Sequence, residues 1–162
     1  MSLIIHRTDP YDDKISRQAC IKYCYVKQWI VYENNETARI DVCARKQDGK
    51  VLALELQCNS CWIDTPEYPE EHIHVPSRKF DYFREAIWGI PTDGREYNIA
   101  KCDAGYLMLF NVSHTRAGIL KFDHLLRSEK AFEEIEMNLN NDLCVVKLVP
   151  VSYIRKYIDI PQ

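Results

Sequence analysis

Residues 38–57, ARIDVCARKQDGKVLALELQ, restrict this chain more than any other stretch. They predict two β-strands joined by a tight turn at Asp48 and Gly49, since an Asp-Gly pair between apolar runs is a strong hairpin signal. Asp41 falls inside the first strand, Glu55 near the end of the second, and Gln57 two residues further on. Strand side chains alternate faces with a period of two. Glu55 and Gln57 therefore project from one face, and the hairpin brings Asp41 beside them. An acid inside an apolar strand is costly unless it is paired, hydrogen-bonded or bound to a cation. Two such acids on adjacent strands point to a divalent-metal site made of oxygen ligands.

The 162 residues suffice for one domain with a real core. Hydrophobic residues at 46% and charged residues at 28% suit a soluble globular chain and argue against disorder. No apolar run approaches the roughly 20 residues of a membrane span, and the opening MSLIIHRTDPYDD lacks the layout of a secretion signal. The seven cysteines are then expected as free thiols in a reducing, cytoplasmic compartment. A formal charge of −3 argues against a nonspecific basic coat for nucleic acid. It leaves room for a nuclease, because metal-binding acids lower the net charge while local basic patches hold phosphates.

Asp12 or Asp13 is expected to cap a helix over residues 14–28, with Ile15, Ala19, Tyr23 and Val26 as its buried stripe. WIVYENN reads as a strand and turn. After the hairpin, CNSCWIDTPEYPEEH is a loop by composition, and Pro76 or Ser77 starts a helix that Gly89 stops. AGYLMLFNVS is the most apolar run and is expected as a central strand. GILKFDHLLRS is predicted as a strand edge, AFEEIEMNL as helical, LCVVKLVPV as a late strand and SYIRKYI as a short terminal helix. With no repeat or linker in view, the simplest account is a single mixed α/β domain over residues 1–162.

This order of helix, three strands, helix and strand, with acids on the second and third strands, resembles the PD-(D/E)XK nuclease superfamily over residues 14–113. The resemblance implies a restriction-endonuclease-like α-β-β-β-α-β core, a mixed sheet flanked by helices. It also implies Mg²⁺- or Mn²⁺-dependent hydrolysis of DNA phosphodiester bonds. Asp41 matches the family's first metal-binding aspartate and Glu55 the acid of its second half-motif. Those two would hold the metal, with the Leu56 carbonyl as a further ligand. Gln57 falls where the family usually has lysine, and Ile40 precedes Asp41 where proline is common. A glutamine orients a water but supplies no positive charge. Lys79 is the candidate to restore that charge, since i, i+4 and i, i+7 spacing sets it on one helix face with Phe83 and Ala86. Arg78 beside it is a candidate phosphate contact and Glu33 an accessory metal ligand.

Two other readings stand beside this one. The first is a non-catalytic domain of the same fold that binds nucleic acid or protein. The second is an interaction module stabilised by Zn²⁺ on Cys58, Cys61, His72 and His74, whose thiolates and imidazoles suit a tetrahedral site, although the His-x-His spacing is tight for one. His114 and His124 are expected as surface or satisfied core residues. Cleavage of a duplex needs two sites or two binding events, so a homodimer or higher oligomer is expected. Its expected contact is the segment from Leu143 to Ile160, with Val145, Val146, Leu148, Tyr153 and Tyr157.

Overall fold

The turn at Asp48 and Gly49 closes the hairpin as its residues require. Gly49 has φ +87°, a left-handed backbone that costs glycine nothing. The Lys46 N–H donates to the Lys50 carbonyl at 2.9 Å, and the Lys50 N–H donates to Asp48 Oδ1 at 3.0 Å. The fold around this hairpin comes from a computed structural model, which describes residues 10–32, 40–89, 101–139 and 142–162.

In chain order the elements are α1 (Pro10–Val26), β1 (Ile30–Tyr32), β2 (Val42–Arg45), β3 (Val51–Cys58), β4 (His72–Pro76), α2 (Ser77–Trp88), β5 (Ala104–Phe110), β6 (Arg116–Lys121), α3 (Phe122–Ser128), β7 (Glu133–Leu139), β8 (Asp142–Pro150) and β9 (Lys156–Asp159). The main sheet has six strands in the order β1-β2-β3-β5-β6-β9. β3 and β5 are parallel, joined by a crossover that carries α2, and the other pairs are antiparallel. A second sheet, β4-β8-β7, is antiparallel throughout. Among the described residues no helix is long and apolar enough to cross a membrane.

The alternation along β3 sorts the core into two layers. Leu52, Leu54 and Leu56 pack with Ala19, Cys20 and Cys24 of α1. Ala53 faces the other way, into a cluster with Phe80 and Phe83 of α2 and Phe122 and Leu125 of α3. The buried stripe of α1 is rotated from the expected one. Ser16, Ala19, Cys20 and Cys24 are buried, whereas Val26 is 61% exposed. Cysteine serves here as a small apolar residue. The Cys20 thiol is pushed up by its hydrogen bond with Cys24 and by burial, and Cys102 is raised in the same way by Cys43.

Three expected elements differ. AFEEIEMNL is strand β7, not helix. Its Ile135 and Met137 alternate with Glu134 and Glu136, a period of two, and they pack against Cys144 and Val146 of β8. The terminal SYIRKYI forms a 3₁₀ turn, Val151–Tyr153, and then β9, because pairing with β6 completes the sheet edge. The run GILKFDHLLRS divides at Lys121 into the end of β6 and all of α3.

Gly105 on β5 lets α3 sit against the sheet. A Cβ there would lie 2.0 Å from Cδ2 of Phe122, whose ring stacks on Phe83 at 4.1 Å. Gly105→Ala is expected to cost about 1–3 kcal/mol through overpacking. Urea denaturation would show this as a lower midpoint with an unchanged slope.

Candidate active site

The β2–β3 ladder ends where Val42 pairs with Leu54, and both face α1. Asp41 and Glu55 are the next residues outward, so both turn to the opposite face. Asp41 stands one residue before β2, not within it as expected. There its carboxylate replaces the missing strand carbonyl, accepting the Leu56 N–H on Oδ2 at 2.9 Å. Asp41 lies close enough to the Glu55 carboxyl to influence its protonation.

α2 completes the cluster. Its residues Phe80, Phe83 and Ala86 are fully buried in the core, which sets Lys79, in the first turn, against the end of β3. Lys79 Nζ donates to the Leu56 carbonyl at 3.0 Å and lies 3.7 Å from Glu55 Oε2. Glu55 is 3% exposed and Lys79 8%. Glu55 Oε1 is buried and has no hydrogen-bond partner among the described residues. An unpaired acceptor oxygen in such a place is costly. A divalent cation held by this oxygen and the neighbouring Asp41 carboxylate would satisfy it, so the donor set fits Mg²⁺ or Mn²⁺.

Burial pushes the Glu55 carboxyl well above its ordinary 4.5. The nearby Lys79 ammonium opposes this, and the Asp41 carboxylate adds to it. The folded protein therefore binds this proton more tightly than the unfolded chain does. Its contribution to stability is complete below about 4.5 and is lost as pH rises through the raised folded value. Without divalent cation, the melting temperature is expected to fall over that range. Added Mn²⁺ is expected to restore it, more strongly at higher pH, because metal and proton compete for the same oxygens. Thermal melts at a series of pH values check both trends, and a melting temperature that ignores Mn²⁺ at every pH would count against the site.

Gln57 lies on the same face of β3 but is tied elsewhere. Its Nε2 donates to the His74 carbonyl on β4 and to Asn59 Oδ1, each at 2.8 Å, while its buried Oε1 has no hydrogen-bond partner among the described residues. Arg78 is exposed beside Lys79. Glu33 lies outside the described residues. Asn59, a loop residue by composition, is fully buried, holding Gln57 through its oxygen and donating Nδ2 to the Tyr68 hydroxyl at 3.1 Å. Its position just past an apolar strand that carries polar residues was the available signal.

The four residues of the zinc alternative do not assemble. Cys58 packs with the layer on the α1 side and Cys61 with the layer on the other side. Cys61 Sγ meets the Tyr68 hydroxyl at 3.3 Å. Among the described residues no group of three or more His, Cys, Asp or Glu is arranged to hold a metal ion, so within them Asp41 and Glu55 are the two carboxylates at this place. His114 is buried, with Nε2 2.8 Å from Ser16 Oγ and Nδ1 3.1 Å from the Val112 carbonyl. Since that carbonyl can only accept, Nδ1 carries a proton, and in the neutral ring Nε2 then accepts from Ser16. His124 is exposed and stacks on Tyr153.

The chain matches no protein-family model, no curated protein and no solved structure.

Proposed function

We propose that this protein is a metal-dependent endonuclease that hydrolyses DNA phosphodiester bonds, with a core of the restriction-endonuclease type. The observation that carries the reading is the meeting of Asp41, Glu55 and Lys79 at the end of β3, with one Glu55 oxygen left unpaired. The element order supports it: α1, three antiparallel strands, a crossover through α2, and a strand parallel to the third.

Asp41 and Glu55 would hold Mg²⁺ or Mn²⁺. When bound, such a cation polarises the scissile phosphate and lowers the pKa of a coordinated water. The chain's own groups do the rest. Lys79 supplies fixed positive charge where the phosphorane-like charge develops, in a water-poor setting that strengthens the interaction. Gln57 has its amide nitrogen engaged, so its free oxygen is left to orient a water. Arg78 is exposed and available to a neighbouring phosphate. The test is nicking of supercoiled plasmid with Mg²⁺ and Mn²⁺, wild type against Asp41→Ala. Nicking by wild type alone supports the reading.

The near-complete burial of Glu55 and Lys79 favours one alternative, a domain of the same fold that binds nucleic acid or protein without cutting. DNA affinity without metal binding or nicking would select it.

We further propose a homodimer, with a contact narrower than the sequence suggested. Val146 is fully buried, Tyr153 packs on Phe132, and Tyr157 packs on Trp62. Leu148 is half-buried, and Leu143 and Val145, 67% and 43% exposed on β8, are the exposed large apolar side chains of that segment. Light scattering is expected to give a dimer mass that Val145→Asp reduces to the monomer. A monomer mass for wild type at tens of micromolar would exclude the assembly.

A further inference from the structure

The sheet face opposite Glu55 carries a groove beside the C-terminal end of α1, with a volume of about 350 Å³. Leu54, Tyr106 and Met108 of β3 and β5 line it, together with the ring of Trp29. Three cations also line it, Lys46 from the hairpin, Arg155 just before β9 and Lys156 at its first position, and among the described residues its lining contains no carboxylate. This is a local reversal in a chain of net charge −3. Lys46 has Asp48 at 3.8 Å. Arg155 and Lys156 are exposed. Lys156 is registered opposite Ile119, another lining residue, so its side chain rises from the groove's own face. Lys121, two residues along β6 from Ile119, shares that face and pairs with Tyr106.

Small-molecule sites are commonly apolar clefts of about 300–1,000 Å³ with a few convergent polar groups. An apolar floor with aromatic walls takes a flat apolar body, and cations at one rim take an anionic end. A purely aliphatic anion would leave the aromatic faces unused, whereas a nucleobase stacks on them. We propose that this groove binds a nucleoside monophosphate unit, free or at the 5′ end of a strand, with the base against Trp29 and Tyr106 and the phosphate at Arg155 and Lys156. The site is on the other face of the sheet from Asp41, Glu55 and Lys79 and does not depend on the nuclease reading.

Calorimetry with the full chain tests the proposal, using AMP, adenosine, decanoate and a 5′-phosphorylated oligonucleotide. The variant is the double charge reversal Arg155→Glu/Lys156→Glu, at exposed positions that leave the core intact. AMP or the oligonucleotide is expected to bind wild type, more weakly as salt rises, and at least about tenfold more weakly to the variant. Tighter binding of AMP identifies a free nucleotide, and tighter binding of the oligonucleotide identifies a strand end. The proposal is overturned if neither binds at about 1 mM, a free energy of roughly −4 kcal/mol, or if the double variant binds as wild type does. Decanoate or adenosine binding as tightly as AMP also overturns it. Mn²⁺ affinity of the same variant reports separately on the Asp41 and Glu55 site, which the substitutions leave untouched.

Discussion

Asp41→Asn is expected to abolish nicking while leaving the fold intact. The Asp41 side chain does two things. Its Oδ2 accepts the Leu56 N–H at the end of the hairpin, and its charge stands beside Glu55. An asparagine oxygen can accept the same N–H with almost no change in volume, so the strand end stays closed. The charge is lost, and with it half of the two-carboxylate donor set. Turnover should drop by about 10²-fold or more, Mn²⁺ affinity should drop with it, and the melting temperature without metal should stay close to wild type. A variant that cuts at the wild-type rate would remove Asp41 from the chemistry. A variant that unfolds would instead show that the carboxylate itself holds the hairpin.

Lys79→Ala separates charge placement from metal binding. The substitution leaves Asp41 and Glu55 in place but removes the cation 3.7 Å from Glu55 Oε2 and the donor to the Leu56 carbonyl. If Lys79 stabilises developing charge on the phosphate, turnover should drop by roughly 10²-fold or more. Metal affinity should change little or tighten, because a neighbouring positive charge has gone. Metal affinity that falls in step with turnover would instead mark Lys79 as a support for the carboxylates. Single-turnover cleavage rates measured alongside Mn²⁺ titration distinguish the two outcomes.

How much of this was legible depended on whether the signal was local. The hairpin could be read because Asp48-Gly49 and the alternation of residues 51–57 lie within a few residues of each other. β5 could be read because a run as apolar as AGYLMLF has few homes other than the middle of a sheet. β7 was misread because its glutamates favoured a helix by composition, while the alternation of Ile135 and Met137 that pairs it with β8 was the weaker cue. β9 was misread because it is defined by a partner strand remote in sequence, and no local pattern announces that. In the candidate site, the common face of Asp41, Glu55 and Gln57 follows from strand parity. The spacing of Lys79, Phe83 and Ala86 on α2 indicated which way the lysine would lean. The second attachment of Gln57, to the His74 carbonyl, was invisible, because nothing in the sequence says that β4 leaves the main sheet to join another.

That attachment makes position 57 a rivet between two sheets, and it bears on any attempt to repair the site by engineering. Writing lysine there, to restore the more familiar spacing, would add a second ammonium on the face where Lys79 Nζ already sits. Like charges on one face repel, the more so where water is scarce. Lysine would also give up the planar amide that spans the His74 carbonyl and the Asn59 oxygen together. On the proposed reading Gln57 and Lys79 act as a matched pair, so Gln57→Lys is expected to be tolerated only if Lys79 changes as well.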